Sequence, residues 1–246
     1  MKYHLFKITV ILICLLGCTA CFDLQENLLL KKDGSGKFSF LINLGEFKTM
    51  LSMFDQEDNK IEREKSSTRK SPANKLNSTF EITRRKLLNT PGISNVKNIE
   101  DTINYSFGLS FDFKNVEALN KAMNRLFEDD SADAEIEETV YFQLKNNQLT
   151  RLEVLDSKSL LGKTNAMSGN SRLGKTENGL MSLSKLFEAV SYTANYEFEN
   201  KIDSIKNENA MLSSNLKKVS IKCYPFAVPE DSTQHKCSIS NIITFK

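Results

Sequence analysis

Between Tyr105 and Phe113 every second residue is large and apolar: Tyr105, Phe107, Leu109, Phe111 and Phe113 alternate with Ser106, Gly108, Ser110 and Asp112. Successive side chains of a strand point to opposite faces, so this stretch is a strand with one buried and one polar side. A face of that quality implies an antiparallel sheet covered on one side. Other segments follow the same rule. Leu24 to Lys32 and Lys37 to Leu44 flank the turn-forming Asp33-Gly34-Ser35-Gly36, which predicts a β-hairpin whose second strand buries Phe38, Phe40, Ile42 and Leu44. Ile93 to Ile99 and Ile103 to Phe113 read as a second strand pair, and Thr139 to Leu144 with Leu149 to Leu155 as a hairpin turning at Asn146-Asn147. The last strands are Ser191 to Phe198, a short piece near Ile202, Lys217 to Cys223 and Cys237 to Phe245.

Helical spacing interrupts these strands. Phe47, Met50, Leu51 and Phe54 predict a short amphipathic helix. Ser78-Thr79-Phe80-Glu81 has capping-box spacing and opens a helix toward Leu88, which Pro91-Gly92 stops. Another helix starts near Asn115, with Val116, Leu119, Met123, Leu126 and Phe127 along one stripe, and Leu180 to Phe187 predicts a short one. Residues 55–77 carry almost no apolar side chains and residues 156–179 have four glycines and little periodicity, so both are expected to be mobile surface loops. The expected architecture is a single α+β domain over residues 24–246, a mostly antiparallel sheet with two or three helices packed on one face. The chain, 246 residues and 40% hydrophobic, is long enough to bury such a core.

The amino terminus is of a different kind. Lys2 and Lys7 precede the apolar run Ile8 to Leu16, too short to span ~30 Å of hydrocarbon at ~1.5 Å per residue, which therefore reads as a secretory signal peptide over residues 1–17. It ends in Leu15-Leu16-Gly17-Cys18, which resembles the bacterial lipobox. That resemblance implies a diacylglycerol thioether on Cys18, a lipidated tether over residues 18–23, and palmitate-type acylation of the new amino terminus. Cys21 is the poorer acceptor, because cysteine stands where the signal prefers leucine. The alternatives are an uncleaved membrane helix or an ordinary signal cleaved nearby. Export sets the redox context for Cys223 and Cys237, which either pair in a disulfide or stay as two buried thiols. The expected location is the cell envelope, lipid-anchored in the outer membrane. No acidic stretch like a surface-export signal follows Cys18, which favours the periplasmic side.

Lys32-Asp33-Gly34-Ser35-Gly36-Lys37, Pro91-Gly92-Ile93-Ser94-Asn95-Val96, Phe111-Asp112-Phe113-Lys114-Asn115 and the segment from Tyr192 to Met211 together resemble a family of Bacteroidota lipoproteins. These motifs are turns and sheet faces, so the resemblance implies a shared fold more than a shared chemistry. The turn tetrad and strand order also resemble the LppM-type domain of mycobacterial envelope lipoproteins, which implies lipid binding by analogy of fold. Four Asp-Ser/Thr tripeptides resemble an O-glycosylation acceptor pattern of exported Bacteroidota proteins, with Ser131 and Ser232 as its loop sites.

Catalytic and metal-binding side chains are scarce. His235 is the one histidine left after processing, so no Ser/His/Asp or Cys/His site is expected, and no zinc site. The acidic run from Glu128 to Glu138 lacks the oxygen spacing and bend glycine of a calcium loop. Gly169-Asn170-Ser171-Arg172-Leu173-Gly174-Lys175-Thr176 has P-loop spacing, but a polar stretch precedes it and Glu177-Asn178-Gly179 opposes the required helix. Of 33 basic and 31 acidic residues, processing removes Lys2 and Lys7 and leaves a neutral domain, so nucleic acid is not an expected partner. No cofactor is expected. The sequence therefore reads as a non-catalytic, membrane-anchored envelope lipoprotein that is structural or binds a ligand, with an apolar one as candidate in the gap between sheet and helices. The alternative is an envelope hydrolase with paired carboxylates in a deep cleft.

Overall fold

The alternating stretches do pair as strands, but in two sheets rather than one. The computed structural model describes residues 23–45, 72–127, 138–152, 190–224 and 238–246. In chain order these contain β1 (Asp23–Leu30), β2 (Gly36–Asn43), α1 (Pro72–Leu88), β3 (Ile93–Asp101), β4 (Ser106–Phe113), α2 (Val116–Phe127), β5 (Phe142–Lys145), β6 (Gln148–Arg151), β7 (Ser191–Phe198), β8 (Ile202–Ile205), β9 (Ala210–Leu212), β10 (Lys218–Cys223) and β11 (Asn241–Phe245). The larger sheet runs β3-β4-β2-β1-β7-β10-β9 and the smaller β5-β6-β11-β8. Strand β1 pairs with β2 antiparallel and with β7 parallel, and the other described pairings are antiparallel. The class is α+β.

The β1–β2 turn shows how the local chemistry works. Asp33 Oδ1 accepts hydrogen bonds from the Ser35 amide (2.9 Å) and hydroxyl (2.7 Å), which hold the Asp33 carboxyl below its ordinary range. Gly34 takes φ +81°, a left-handed value that a side chain would resist. With this turn fixed, Glu26 falls opposite Phe40 and Leu28 opposite Phe38, so both strands aim their alternate residues at the same face.

Two different covers share that face. Helix α1 packs on β3 and β4, and α2 packs on α1, β4 and β5. Over β1 and β7 the cover is the small sheet: the Phe142 ring meets Tyr196 edge-on at 6.2 Å, and Phe198 packs tilted against Phe245 at 4.8 Å. The layer between is occupied by side chains of one core cluster, with Phe38, Phe107, Phe111, Leu119, Ala122 and Met123 almost wholly excluded from solvent. The expected apolar gap between sheet and helices is therefore filled.

Helix α2 joins the two covers. Asn115 caps it, its Oδ1 accepting the Ala118 amide at 2.9 Å. One turn on, Asn120 Oδ1 accepts the amides of Tyr141 and Phe142 (3.0 and 2.9 Å) while its Nδ2 donates to the Phe142 carbonyl (2.8 Å). Asn124 makes the same kind of clasp on Thr139, 3.0 Å to its amide and 2.9 Å to its carbonyl. The edge of β5 is thereby closed by helix side chains instead of by another strand.

Several boundaries differ from the sequence reading, among them that of β11, which starts at Asn241 and not at Cys237. Helix α1 begins at Pro72, a favoured first-turn residue, so Ser78 lies inside the helix and residues 72–77 are not loop. Glu81 caps nothing and instead takes Arg84 at 2.8 Å and Asn98 of β3 at 2.9 Å. Strand β4 starts at Ser106, because Thr102 to Tyr105 form a turn in which Tyr105 adopts φ +51°. The helices expected at Phe47 to Phe54 and Leu180 to Phe187, and the loops at 55–71 and 156–179, lie outside the described residues.

Candidate functional site

Glu26 interrupts the apolar phase Leu24, Leu28, Leu30 of β1, and Arg151 interrupts that of β6 next to Leu149. The fold brings the two together in the core, where Glu26 is 0% and Arg151 1% exposed. Arg151 Nε donates to Glu26 Oε1 at 3.1 Å and Nη2 to Oε2 at 2.8 Å. Strand β7, in register with β1, adds two phenols: Tyr196 Oη donates to Oε1 at 2.8 Å and Tyr192 Oη to Oε2 at 2.6 Å. Each carboxylate oxygen thus accepts two hydrogen bonds. Nη1 donates to the Leu152 carbonyl at 2.8 Å, and the guanidinium carbon lies 4.7 Å from the centre of the Phe142 ring.

Burial, the largest single influence, opposes a charged guanidinium, but the Glu26 carboxylate together with Tyr196 and Tyr192 outweighs it and holds the Arg151 proton more tightly than usual. Burial, reinforced by the Glu26 charge, pushes the phenols of Tyr192 and Tyr196 well above their ordinary value. A carboxylate so saturated and so closed to water is not placed to exchange protons with a substrate. What it does is tie β1 and β7 of the large sheet to β6 of the small one.

The opposite face of the large sheet carries a groove of about 580 Å³ over β2, β1, β7, β10 and β9. Its floor is a polar ladder across four strands. Asn27 Nδ2 donates to Ser39 Oγ (3.2 Å), Asn195 Nδ2 to Asn27 Oδ1 (3.0 Å) and Ser220 Oγ to Asn195 Oδ1 (2.7 Å). Leu29, Met211 and Leu212, three of the exposed large apolar side chains, line its walls. Lys218 and Glu197 also line it and pair at 2.9 Å.

Cys223 closes β10 on the buried phase. Strand β9 runs antiparallel beside β10 with Ala210 opposite Ile221, and a turn at Glu208-Asn209 leads into it. The neighbouring Asn207 donates through Nδ2 to the carbonyls of Ser238 (3.1 Å) and Ser240 (2.8 Å), and its amide donates to Asn241 Oδ1 at 3.1 Å. Asn207 thus ties Ser238, one residue after Cys237, to the turn that leads into β9, the neighbour of β10.

Cys18, Cys21, Cys237, His235, Ser131, Ser232, the acidic run up to Glu137 and the Gly169 to Thr176 segment lie outside the described residues. Among the described residues, no group of three or more His, Cys, Asp or Glu side chains is placed to hold a metal, and no helix is long and apolar enough to cross a membrane. Glu26 and Arg151 were missed by the sequence reading. The signal was there, as one charge on the buried phase of each of two strands, which is costly unless the two meet.

No protein-family profile and no curated protein matches the chain, so the resemblance to Bacteroidota lipoproteins stays an expectation from sequence. Among solved structures, the chain is similar to the folded domain of Mycobacterium tuberculosis LppM, determined by NMR, with a TM-score of 0.40 and 8% identity over 91% of this chain and 89% of that one. That is a faint similarity of fold and carries no functional weight.

Proposed function

We propose that this chain is a non-catalytic envelope lipoprotein, held to the bilayer through Cys18 and acting by binding or by support. The observation that carries the reading is the junction at Leu15-Leu16-Gly17-Cys18, which is followed within five residues by β1 at the middle of the large sheet. An acyl anchor there gives membrane attachment without any membrane-spanning helix in the domain. The outer membrane, facing the periplasm, is the proposed site of attachment. The buried acid of the core favours binding over catalysis, because Glu26 is saturated by Arg151 and two tyrosines.

The finer part of the proposal concerns the ligand. With the layer under the helices filled, the groove on the opposite face is the proposed binding surface, and its make-up fits an amphipathic molecule: apolar against Leu29 and Met211, polar over the Asn27–Asn195 ladder. Protein purified from membranes and extracted for mass spectrometry is expected to release a co-purifying lipid, and Leu29→Glu with Met211→Glu is expected to abolish it. No lipid beyond the covalent anchor in repeated preparations would leave support as the function. We also infer that Cys223 and Cys237 are bridged: Cys223 ends β10 on the buried phase, and Asn207 ties Ser238, next to Cys237, to the turn before β9, which pairs with β10.

A further inference from the structure

The register of the large sheet defines one straight end. Asp101 of β3 lies opposite Ser106 of β4, Ser106 opposite Asn43 of β2, Asn43 opposite Asp23 of β1, and Asp23 opposite Ser191 of β7, in a row crossing five strands. Cys223 of β10 sits one position in, opposite Tyr192. This end presents two of the exposed large apolar side chains among the described residues: Ile103 in the β3–β4 turn, 76% exposed, and Tyr224 just after β10, 45% exposed. Lys222 places its Nζ 5.8 Å from the Tyr224 ring centre.

Strand β1 begins in the middle of this same end, flanked by β4 and β2 on one side and by β7 and β10 on the other. Strands lie ~4.8 Å apart, so Ile103 and Tyr224 stand each ~10–15 Å to either side of the point where the chain arrives from Cys18. Four residues lie between Cys18 and Asp23, and the five chain steps that join them reach at most ~17 Å. A lipid on Cys18 therefore keeps this end within a short distance of the bilayer, while the Asp33 turn lies ~23 Å away along β1.

We propose that the sheet end carrying Ile103 and Tyr224 is the membrane-facing rim of the domain, seated against the lipid surface that holds the Cys18 anchor. This rests on the acylation of Cys18 put forward above. The chemistry of the rim fits an interface. Ile103 offers an aliphatic tip, Tyr224 an amphipathic ring, and Lys222 a charge that reaches past the ring toward headgroups. The two carboxylates of the end row are occupied internally. Asp23 accepts from Ser191 (2.7 Å), Thr193 (3.0 Å) and Gln25 (2.7 Å), and Asp101 accepts the amides of Ile103 and Asn104, both at 2.9 Å, and the Asn104 side chain (2.7 Å).

The chain has no tryptophan, so each single substitution to Trp reports on one place. Full-length protein carrying Ile103→Trp, Tyr224→Trp or Lys32→Trp is purified from membranes after palmitate labelling. It is then reconstituted in phosphatidylethanolamine–phosphatidylglycerol vesicles, with and without brominated acyl chains. Lys32, next to the Asp33 turn, marks the far end. The expected result is palmitate in all three proteins, with a blue-shifted emission quenched by bromolipid at positions 103 and 224 and neither effect at 32. Palmitate incorporation with no preference for 103 and 224 over 32 overturns the orientation and leaves the anchor standing. Absence of palmitate overturns both.

Discussion

Exchanging Glu26 for glutamine keeps the shape of the side chain and removes its charge, which leaves Arg151 ionised in the core. Four hydrogen bonds of 2.6 to 3.1 Å converge on the carboxylate, two from a guanidinium that is 1% exposed. Stripping a buried ion of its partner costs about 3–5 kcal/mol, a large part of the ~5–15 kcal/mol that holds a typical domain. Arg151→Met is expected to cost a similar amount, because the carboxylate then keeps the two phenols alone. The double variant removes both charges, and a buried pair replaced as a pair loses far less than the sum of its halves. Urea denaturation of the mature chain, followed by circular dichroism, is expected to give two lowered midpoints for the single variants. The double variant should fall short of additivity by ~2–3 kcal/mol, as in-contact pairs do. Single losses under ~1 kcal/mol that simply add would refute the view that this pair ties the two sheets together.

Three further outcomes follow from the same contacts. Asn120→Ala removes the acceptor of two backbone amides at β5, and a loss of ~1–3 kcal/mol is expected in the same denaturation assay. Tyr192 and Tyr196 hold their protons more tightly folded than unfolded, so the stability linked to them is complete below about pH 10 and is lost as pH rises further. Alkaline titration of phenolate absorbance should show the buried pair ionising only on unfolding, a step that is lost in Tyr192→Phe/Tyr196→Phe. Reduction, or Cys223→Ser, should lower stability by ~3 kcal/mol, the chain-entropy value for a loop of this length, and intact mass under alkylation should report the bridge directly.

The strand faces were legible because alternation is local. Phe38, Phe40 and Ile42, like Phe107, Leu109, Phe111 and Phe113, are buried on one phase, and the turns at Asp33 and Asn146 stand where their residue types put them. What alternation does not state is which strands become neighbours. The parallel pairing of β1 with β7 joins segments more than 160 residues apart, and the Arg151–Glu26 pair joins residues of different sheets that lie 125 positions apart. Helix α1 was read as starting late because Ser78 to Glu81 has a capping pattern. Its true first turn holds Pro72, and Glu81 is used by Arg84 and Asn98 instead. The site was the least legible part. The groove floor is built from Asn27, Ser39, Asn195 and Ser220, each an ordinary solvent-phase residue until the register of four strands aligns them.

Every functional statement here depends on Cys18 being the first residue of the mature protein and bearing lipid. Mass spectrometry of the amino-terminal tryptic peptide, taken from protein isolated from bacterial membranes, tests that directly. The account predicts a peptide spanning Cys18 to Lys31 with diacylglyceryl and acyl additions on Cys18. An unmodified peptide, or one beginning at any other residue, contradicts it.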